Sequence, residues 1–232
     1  MLMTIQNGTI FIADSHYNQK RRQLKSLLLK IQNKEIEVTQ IIFMGDIFDF
    51  LTSHLNYFTL INAEIILLIN KLATQFKILY LEGNHDFNLQ ELFPTIHIIK
   101  REEQPYIVKV DNQTIAMAHG DIFTPFSYNL YCKIIRNSTF MKFLNFIDIK
   151  FFLSKFTEET LMKKKICHKQ KNFLEFTQNR IKKYNSLSKI DLIIEGHFHQ
   201  GYLSKNYINL PSLACDNRYM VYQNNQFSFN TL

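Results

Sequence analysis

The sequence predicts a layered α/β fold with a largely parallel core, interrupted by one basic helical insert. Three observations carry this. Short Ile- and Phe-rich runs alternate with helical patterns in the first half, a basic and aromatic stretch follows, and strand character then returns up to the C-terminus. The 232 residues, 46% hydrophobic and 20% charged, suit one domain over 1–232 with its insert at about 125–189. That composition excludes a disordered chain, a small disulfide scaffold and a collagen-like repeat.

Residues 9–13, 40–44 and 77–81 are apolar runs short enough to be buried strands. Between them, 19–31 places Leu24, Leu27, Leu28 and Ile31 at helical spacing, and 60–76 does the same with Ile61, Ile65, Leu68, Ile69 and Leu72. Strand, helix, strand, helix, strand implies helices layered on a parallel sheet. Residues 106–110 and 114–118, joined through Asp111 and Asn112, read as a hairpin. The insert opens near Pro125, and 158–184 in its second half reads as one long helix. Strands resume at 191–194, 202–203, 207–210, 219–222 and 227–229, and Tyr219, Tyr222, Phe227 and Phe229 are expected to complete a second sheet.

Charge is concentrated. The whole chain has 27 Lys and Arg against 20 Asp and Glu, and residues 125–189 hold 14 and four of them, a local +10 that leaves −3 elsewhere. Nine of the 21 phenylalanines lie in the same stretch, among them Phe140, Phe143, Phe146, Phe151, Phe152 and Phe156. Such a segment favours an anionic membrane surface, nucleic acid or a phosphorylated amphiphile; its plainer reading is a helical hairpin with a solvated basic face. Cys132, Cys167 and Cys215 are widely spaced without a C-x-x-C pair, so neither a disulfide framework nor a thiolate zinc site is expected. No secretory pattern opens the chain and no run of 18 apolar residues occurs, which points to a reducing cytosolic address without a transmembrane helix.

The chemistry stands at the carboxyl ends of the strands. Asp14-Ser15-His16 follows the first, Gly45-Asp46-Ile47-Phe48-Asp49 the second and Gly83-Asn84-His85-Asp86 the third; His119-Gly120-Asp121 and Gly196-His197-Phe198-His199 follow two later ones. Open α/β sheets place their sites at this edge. Of eight histidines only His54, His97 and His168 lie outside these clusters, and those three read as surface or helix positions. Asp, Asn and neutral imidazole are ligands for Mn, Fe, Co, Ni or Zn. Asp46, at the end of a central strand, is the natural carboxylate to bridge two ions. One such motif alone is commonplace; five in order have no purely structural explanation.

The set D-x-H, G-D-x-x-D, G-N-H-D, H-G-D and G-H-x-H, spread over residues 9–199, resembles the calcineurin-like metallophosphoesterases. The resemblance implies a β-sandwich flanked by helices, with the insert as a lid, and two divalent metals. One metal would be held by Asp14, His16, Asp46 and His199, the other by Asp46, Asn84, His119 and His197. His85 is implied as a non-ligand histidine beside the scissile phosphate, oriented by Asp86, while Asp49 and Asp121 orient ligands. Hydroxide formed on the metal pair would attack phosphorus in line.

Within that family the chain is similar to the UDP-2,3-diacylglucosamine hydrolases of lipid A biosynthesis, in size, in the spacing from Asp14 to His119, and in its long basic insert. That similarity implies attack on the α-phosphorus to release UMP and 2,3-diacylglucosamine 1-phosphate, with manganese as the metal. Peripheral contact with the cytoplasmic face of the inner membrane is an expectation from the basic, Phe-rich insert. Lys163, Lys164, Lys165, Lys169 and Lys171 form a group of candidate phosphate or membrane contacts. His85 stands where those enzymes often carry Arg, and Phe198 and Gln200 where they often have small or basic residues. Rival readings are a phosphodiesterase or nucleotide pyrophosphatase of other substrate, a nuclease, and a non-catalytic scaffold. Nucleic acid is not the expected partner, since no accompanying binding module is visible.

Overall fold

The computed structural model describes residues 4–110 and 112–232; Asp111 of the expected hairpin turn lies outside them. In chain order the elements begin with β1 (Thr9–Ile12), α1 (Gln23–Gln32), β2 (Gln40–Phe43), α2 (Asn56–Ile61), α3 (Ala63–Ala73), β3 (Lys77–Leu81), β4 (His97–Ile99), β5 (Tyr106–Val110) and β6 (Gln113–Ala118). The insert then contributes α4 (Phe126–Ile135), α5 (Ser138–Ile147), α6 (Phe152–Lys163) and α7 (Phe173–Asn185). After it come β7 (Leu192–Glu195), β8 (Tyr202–Leu203), β9 (Tyr207–Asn209), α8 (Leu213–Asp216), β10 (Arg218–Gln223) and β11 (Gln226–Thr231).

Two sheets form. One has the order β11-β10-β1-β2-β3-β4 and the other β5-β6-β7-β9-β8. β1 to β4 are mutually parallel, as are β6, β7 and β9, so each sheet has a parallel centre. The C-terminal pair corrects the expectation that it completes the second sheet: β10 runs antiparallel to β1, with Thr9 opposite Tyr222, and β11 lies outside it. Alternating apolar residues specify that a strand has a buried face but not which sheet it joins.

Strand alternation sorts the core into three layers. Ile10, Ile12, Ile41 and Phe43 face outward onto Leu24, Leu27, Leu28 and Ile31 of α1 and Ile65, Ile69 and Leu72 of α3. The neighbouring Phe11, Ile42, Met44, Leu79 and Leu81 face the other way, against Val108, Ile115, Met117, Ile194 and Ile208 of the second sheet. Ala116, Ala118, Ile193 and Tyr207 turn outward again, onto Tyr184, Phe173 and Ile181 of α7. One insert helix therefore forms part of the outer layer of the second sheet. At about 25 cal/mol per Å² of apolar surface removed from water, this three-layer burial supplies the main drive to fold.

Two predicted helices break. The 60–76 pattern divides at Asn62, whose side-chain amide donates to the Phe58 carbonyl at 2.9 Å. The 158–184 pattern divides into α6 and α7, separated by a strap at 164–172 that crosses onto the core. No helix among the described residues is long and apolar enough to cross a membrane.

Candidate metal centre

The motif residues sit in loops whose backbone is held in an uncommon conformation. Asp14 (φ 50°), His16 (38°), Asp46 (51°), His197 (63°) and His199 (55°) all have positive φ, a region that side-chain-bearing residues seldom occupy. Such geometry persists where the surroundings over-determine it. Here Asp14 N donates to Gly45 O, His16 N to Asp46 O, and His197 N to the Asp14 carboxylate at 2.9 Å. The two loops carrying Gly45 and Gly83 nearly touch: a Cβ on Gly45 would stand 2.4 Å from His119 Nδ1, and one on Gly83 would stand 2.3 Å from Asp46 Oδ1. Glycine is required at both positions for space alone.

Among the described residues, candidate ligand atoms converge in three overlapping groups, Asp14–His16–His199, His16–Asp46–His85 and Asp46–His119–His197, each with atoms within 4.8 Å of one another. Asp14 Oδ1 lies 3.3 Å from His199 Nε2, and Asp46 Oδ2 lies 3.9 Å from His16 Nε2 and 3.4 Å from His119 Nε2. His119 Nε2 is 3.2 Å from both Asn84 Oδ1 and His197 Nδ1. Asp46 thus faces both halves of the cluster. The five ligand-bearing edges come from two sheets rather than one, β1 to β3 from the first and β6 and β7 from the second.

The ring orientations are set from outside. A carbonyl only accepts, so His119 Nδ1 donates to Met44 O (2.9 Å), His199 Nδ1 to Ile166 O (3.0 Å) and His85 Nδ1 to Asp49 O (2.6 Å). Each of these three histidines then turns Nε2 toward the cluster, the arrangement that outer hydrogen bonds give metal-binding imidazoles. Burial pushes His16 down to about 3, with His85 adding to the effect against the pull of Asp46. Burial and then His119 lower His197, so both rings are neutral and able to donate a lone pair. Burial opposes charge on Asp46, yet His119, His85 and His16 hold it well below the usual carboxylate range. Burial likewise opposes charge on His119, and Asp46 outweighs it, raising that imidazole well above its ordinary value.

These residues fit divalent cations. Asp14 and Asp46 are 0% and 2% exposed, and among the described residues the ring nitrogens of histidines, with no lysine or arginine, stand beside them. A buried carboxylate needs a charge partner or a metal. Around His119 Nε2 stand Asn84 Oδ1, Asp46 Oδ2 and His197 Nδ1, a ring of lone pairs suited to a cation.

An outer ring of polar residues corrects parts of the sequence reading. Asp86 does not orient His85. Its carboxylate accepts from the amides of Asp46, Ile47 and Gly83 and from Tyr80 Oη, so it shapes the loop beneath Asp46. The His85 ring is instead held by the Asp49 carbonyl. The Asp49 side chain accepts from Asn18 and pairs with Arg21 at 2.6 Å, with His16 Nδ1 3.7 Å away. Asp121 pairs with Arg101 at 2.8 Å. All five insert lysines are solvent-exposed, and Lys169 Nζ also reaches back to the His199 carbonyl and the Asp216 carboxylate.

Sequence reasoning also missed a disulfide between Cys167 and Cys215, which joins the strap to α8. It overturns the expectation of unpaired cysteines, and it takes Cys167 off the helix assigned to it. The two are 48 residues apart, and nothing in that spacing signals a pair; only the strap's path over the core brings them together. Arg136 and Arg180 were missed for the same reason. Arg136 pairs with Glu82 at 2.8 Å and donates to Gly83 O, next to Asn84.

Residues 9–201 match the model of the calcineurin-like phosphoesterase family, and the chain belongs to that family. It is a metallophosphoesterase-type hydrolase by family. Among curated proteins it is 22% identical over 199 residues to the UDP-2,3-diacylglucosamine hydrolase of Coxiella burnetii, covering 83% of this chain and 80% of that one. The enzyme of the same name from Psychromonas ingrahamii is 22% identical over 200 residues with the same coverage, and that of Aromatoleum aromaticum is 27% identical over 116 residues, 50% of this chain and 47% of that one. A solved phosphoesterase from E. coli aligns over 96% of this chain and 92% of its own, with 14% identity and a TM-score of 0.48.

Proposed function

We propose that this phosphoesterase hydrolyses the pyrophosphate of UDP-2,3-diacylglucosamine, releasing UMP and 2,3-diacylglucosamine 1-phosphate, with two manganese ions. The observation that carries the substrate class is an apolar cavity between insert and core, lined by Phe50, Leu55, Phe58, Ile135, Met141 and Leu144. Phe50 of this lining is the next residue along the chain from Asp49, whose carbonyl holds the His85 ring, which supports an apolar chamber serving the same loop as the phosphate chemistry. A substrate with both acyl chains and a diphosphate needs that adjacency. The relatives of the same name support the reading.

Asp14, His16, Asp46 and His199 would hold one ion and Asp46, Asn84, His119 and His197 the other. Bound there, such ions polarise phosphoryl oxygens and supply hydroxide near neutral pH. The chain does the rest. Asp46 offers one oxygen to the cluster while the other accepts the His85 amide at 2.8 Å, which keeps the carboxylate from rotating. His85 Nε2, aimed into the site by Asp49, meets the charge or proton demand of the departing oxygen.

The insert also presents Phe126 (82% exposed), Phe146 (83%), Ile149 (74%) and Phe152 (73%) to solvent, amid the +10 segment. This combination supports peripheral docking on an anionic membrane, on the cytoplasmic side where such a substrate would be met. Binding to vesicles containing anionic lipid, lost in Phe126→Ser/Phe146→Ser, is the expected result.

The deciding assay compares Mn-dependent release of UMP from UDP-2,3-diacylglucosamine with hydrolysis of UDP-glucosamine and of an aryl phosphodiester. Preference for the acylated substrate is expected. Equal or better turnover of the simple diester discards the lipid substrate and keeps the two-metal chemistry.

A further inference from the structure

Arg180 lies on α7 of the insert, yet it is only 5% exposed and, among the described residues, its side-chain hydrogen bonds go to the core. Its Nε donates to Glu195 Oε2 at 3.0 Å and one Nη to Glu195 Oε1. The guanidinium also donates to Ile122 O at 2.8 Å and to Gly120 O at 3.1 Å. These partners belong to two different loops. Gly120 adjoins His119, and Glu195 ends β7 two residues before His197. The loops meet at the glycine, where an added Cβ would stand 2.9 Å from His197 Cβ.

The pocket around the guanidinium is aromatic. Phe123, Phe176, Tyr184 and Phe198 each stand with their ring centroid within 6.0 Å of its central carbon. Phe198, the residue between His197 and His199, also packs on Phe176 of α7 at 4.7 Å. The unusual phenylalanine in G-H-F-H thus belongs to the same contact. Glu195 is completed by the hydroxyls of Tyr184 and Tyr207, both at 2.7 Å. A planar fork that satisfies a carboxylate on one loop and two carbonyls on another fixes their separation and angle, which a lysine's point charge does not do.

We propose that Arg180 is a positioning residue for the metal pair, setting the spacing of His119 and His197 from the insert side and so governing occupancy of the second metal position. The inference rests on the two-metal reading given above. It makes the insert part of the metal centre's support as well as a cover for substrate. Arg180 touches neither ligand ring; it acts through Gly120 and Glu195.

The test is manganese binding by the full chain, measured as stoichiometry and affinity by equilibrium dialysis, with electron paramagnetic resonance to detect a spin-coupled pair. Wild type is expected to bind two ions with a coupled spectrum. Arg180→Lys and the double variant Arg180→Met/Glu195→Gln, which strands no buried charge, are expected to keep one ion at near wild-type affinity. Their second ion should bind roughly 10–100-fold more weakly, and a single-ion spectrum should replace the coupled one at matched loading. Circular dichroism on each variant establishes that the fold is intact, and Arg180→Lys serves if the double variant does not fold. Variants that bind two ions with unchanged affinity and a coupled spectrum overturn the proposal while leaving the two-metal reading in place. Wild type that binds fewer than two ions overturns that reading, and the proposal with it.

Discussion

The half of the site carried by β1, β2 and β3 and the half carried by β6 and β7 are supported in different ways. In the first, the loops hold one another: the Asp86 carboxylate accepts from Asp46, Ile47 and Gly83, the His85 amide donates to Asp46, and His16 N to Asp46 O. Arg136 from the insert adds to this set through Glu82 and Gly83. The second half has core bonds too, such as the His119 amide donating to Gln104 Oε1 at 2.7 Å and Asn209 to Gly196 O. Much of its outer support nevertheless comes from the insert: Arg180 on the Gly120 and Glu195 loops, Ile166 O on His199 Nδ1, and Lys169 on His199 O. The contrast teaches that a segment inserted into a loop becomes part of the chemistry's support when it packs as the outer layer of one sheet.

The comparison breaks most visibly at Asp46, which serves both halves. Asp46→Ala should cut turnover of an aryl phosphodiester by at least about 10³-fold, roughly 4 kcal/mol of barrier, and reduce bound manganese below two per chain. Hydrolysis rate and metal content on the same sample check it. His85→Ala comes next and sharpens the comparison, since its ring nitrogen lies within reach of a metal shared with His16 and Asp46. A non-ligand His85 predicts a loss of about 10²-fold in kcat with two ions retained; loss of an ion would make it a ligand.

On the insert side, Cys167→Ser or a reductant should lower stability by about 2–4 kcal/mol, seen as a lower Tm. Because the freed strap carries the carbonyl that holds His199, metal affinity should fall about tenfold as well. An unchanged titration with a lower Tm would confine the bridge to folding. The smallest effect is expected at Tyr57→Phe, where the core loses a hydrogen bond from Tyr57 Oη to Glu158 of α6 at 2.5 Å. About 1–2 kcal/mol should be lost with metal stoichiometry unchanged, since the bond joins α6 to α2 and involves no candidate ligand.

The strands other than the three-residue β4, the helix faces of α1 and α3, and the five candidate ligand motifs were legible in the sequence because each is local. A buried strand shows itself as an apolar run, a helix as a period, and a ligand cluster as polar residues at the strand's end. Asp86 was misread for an instructive reason: adjacency to His85 suggested a partner, but consecutive residues on a loop point apart, and its carboxylate serves backbone amides about 40 positions earlier. Glu195 directly follows the strand read at 191–194, with no sign in the sequence of the arginine it meets.

By itself, then, the sequence determined the α/β layering and which candidate ligand side chains stand at the strand ends, since both depend on residue type at short spacing. Only the tertiary structure decided which sheet received β10 and β11, where the strap would break the helical pattern, that Cys167 would meet Cys215, and that Arg180 would clamp two ligand loops. Those outcomes depend on pairing between segments dozens of residues or more apart, where the free energy lies in shape, burial and satisfied polar groups rather than in any local preference.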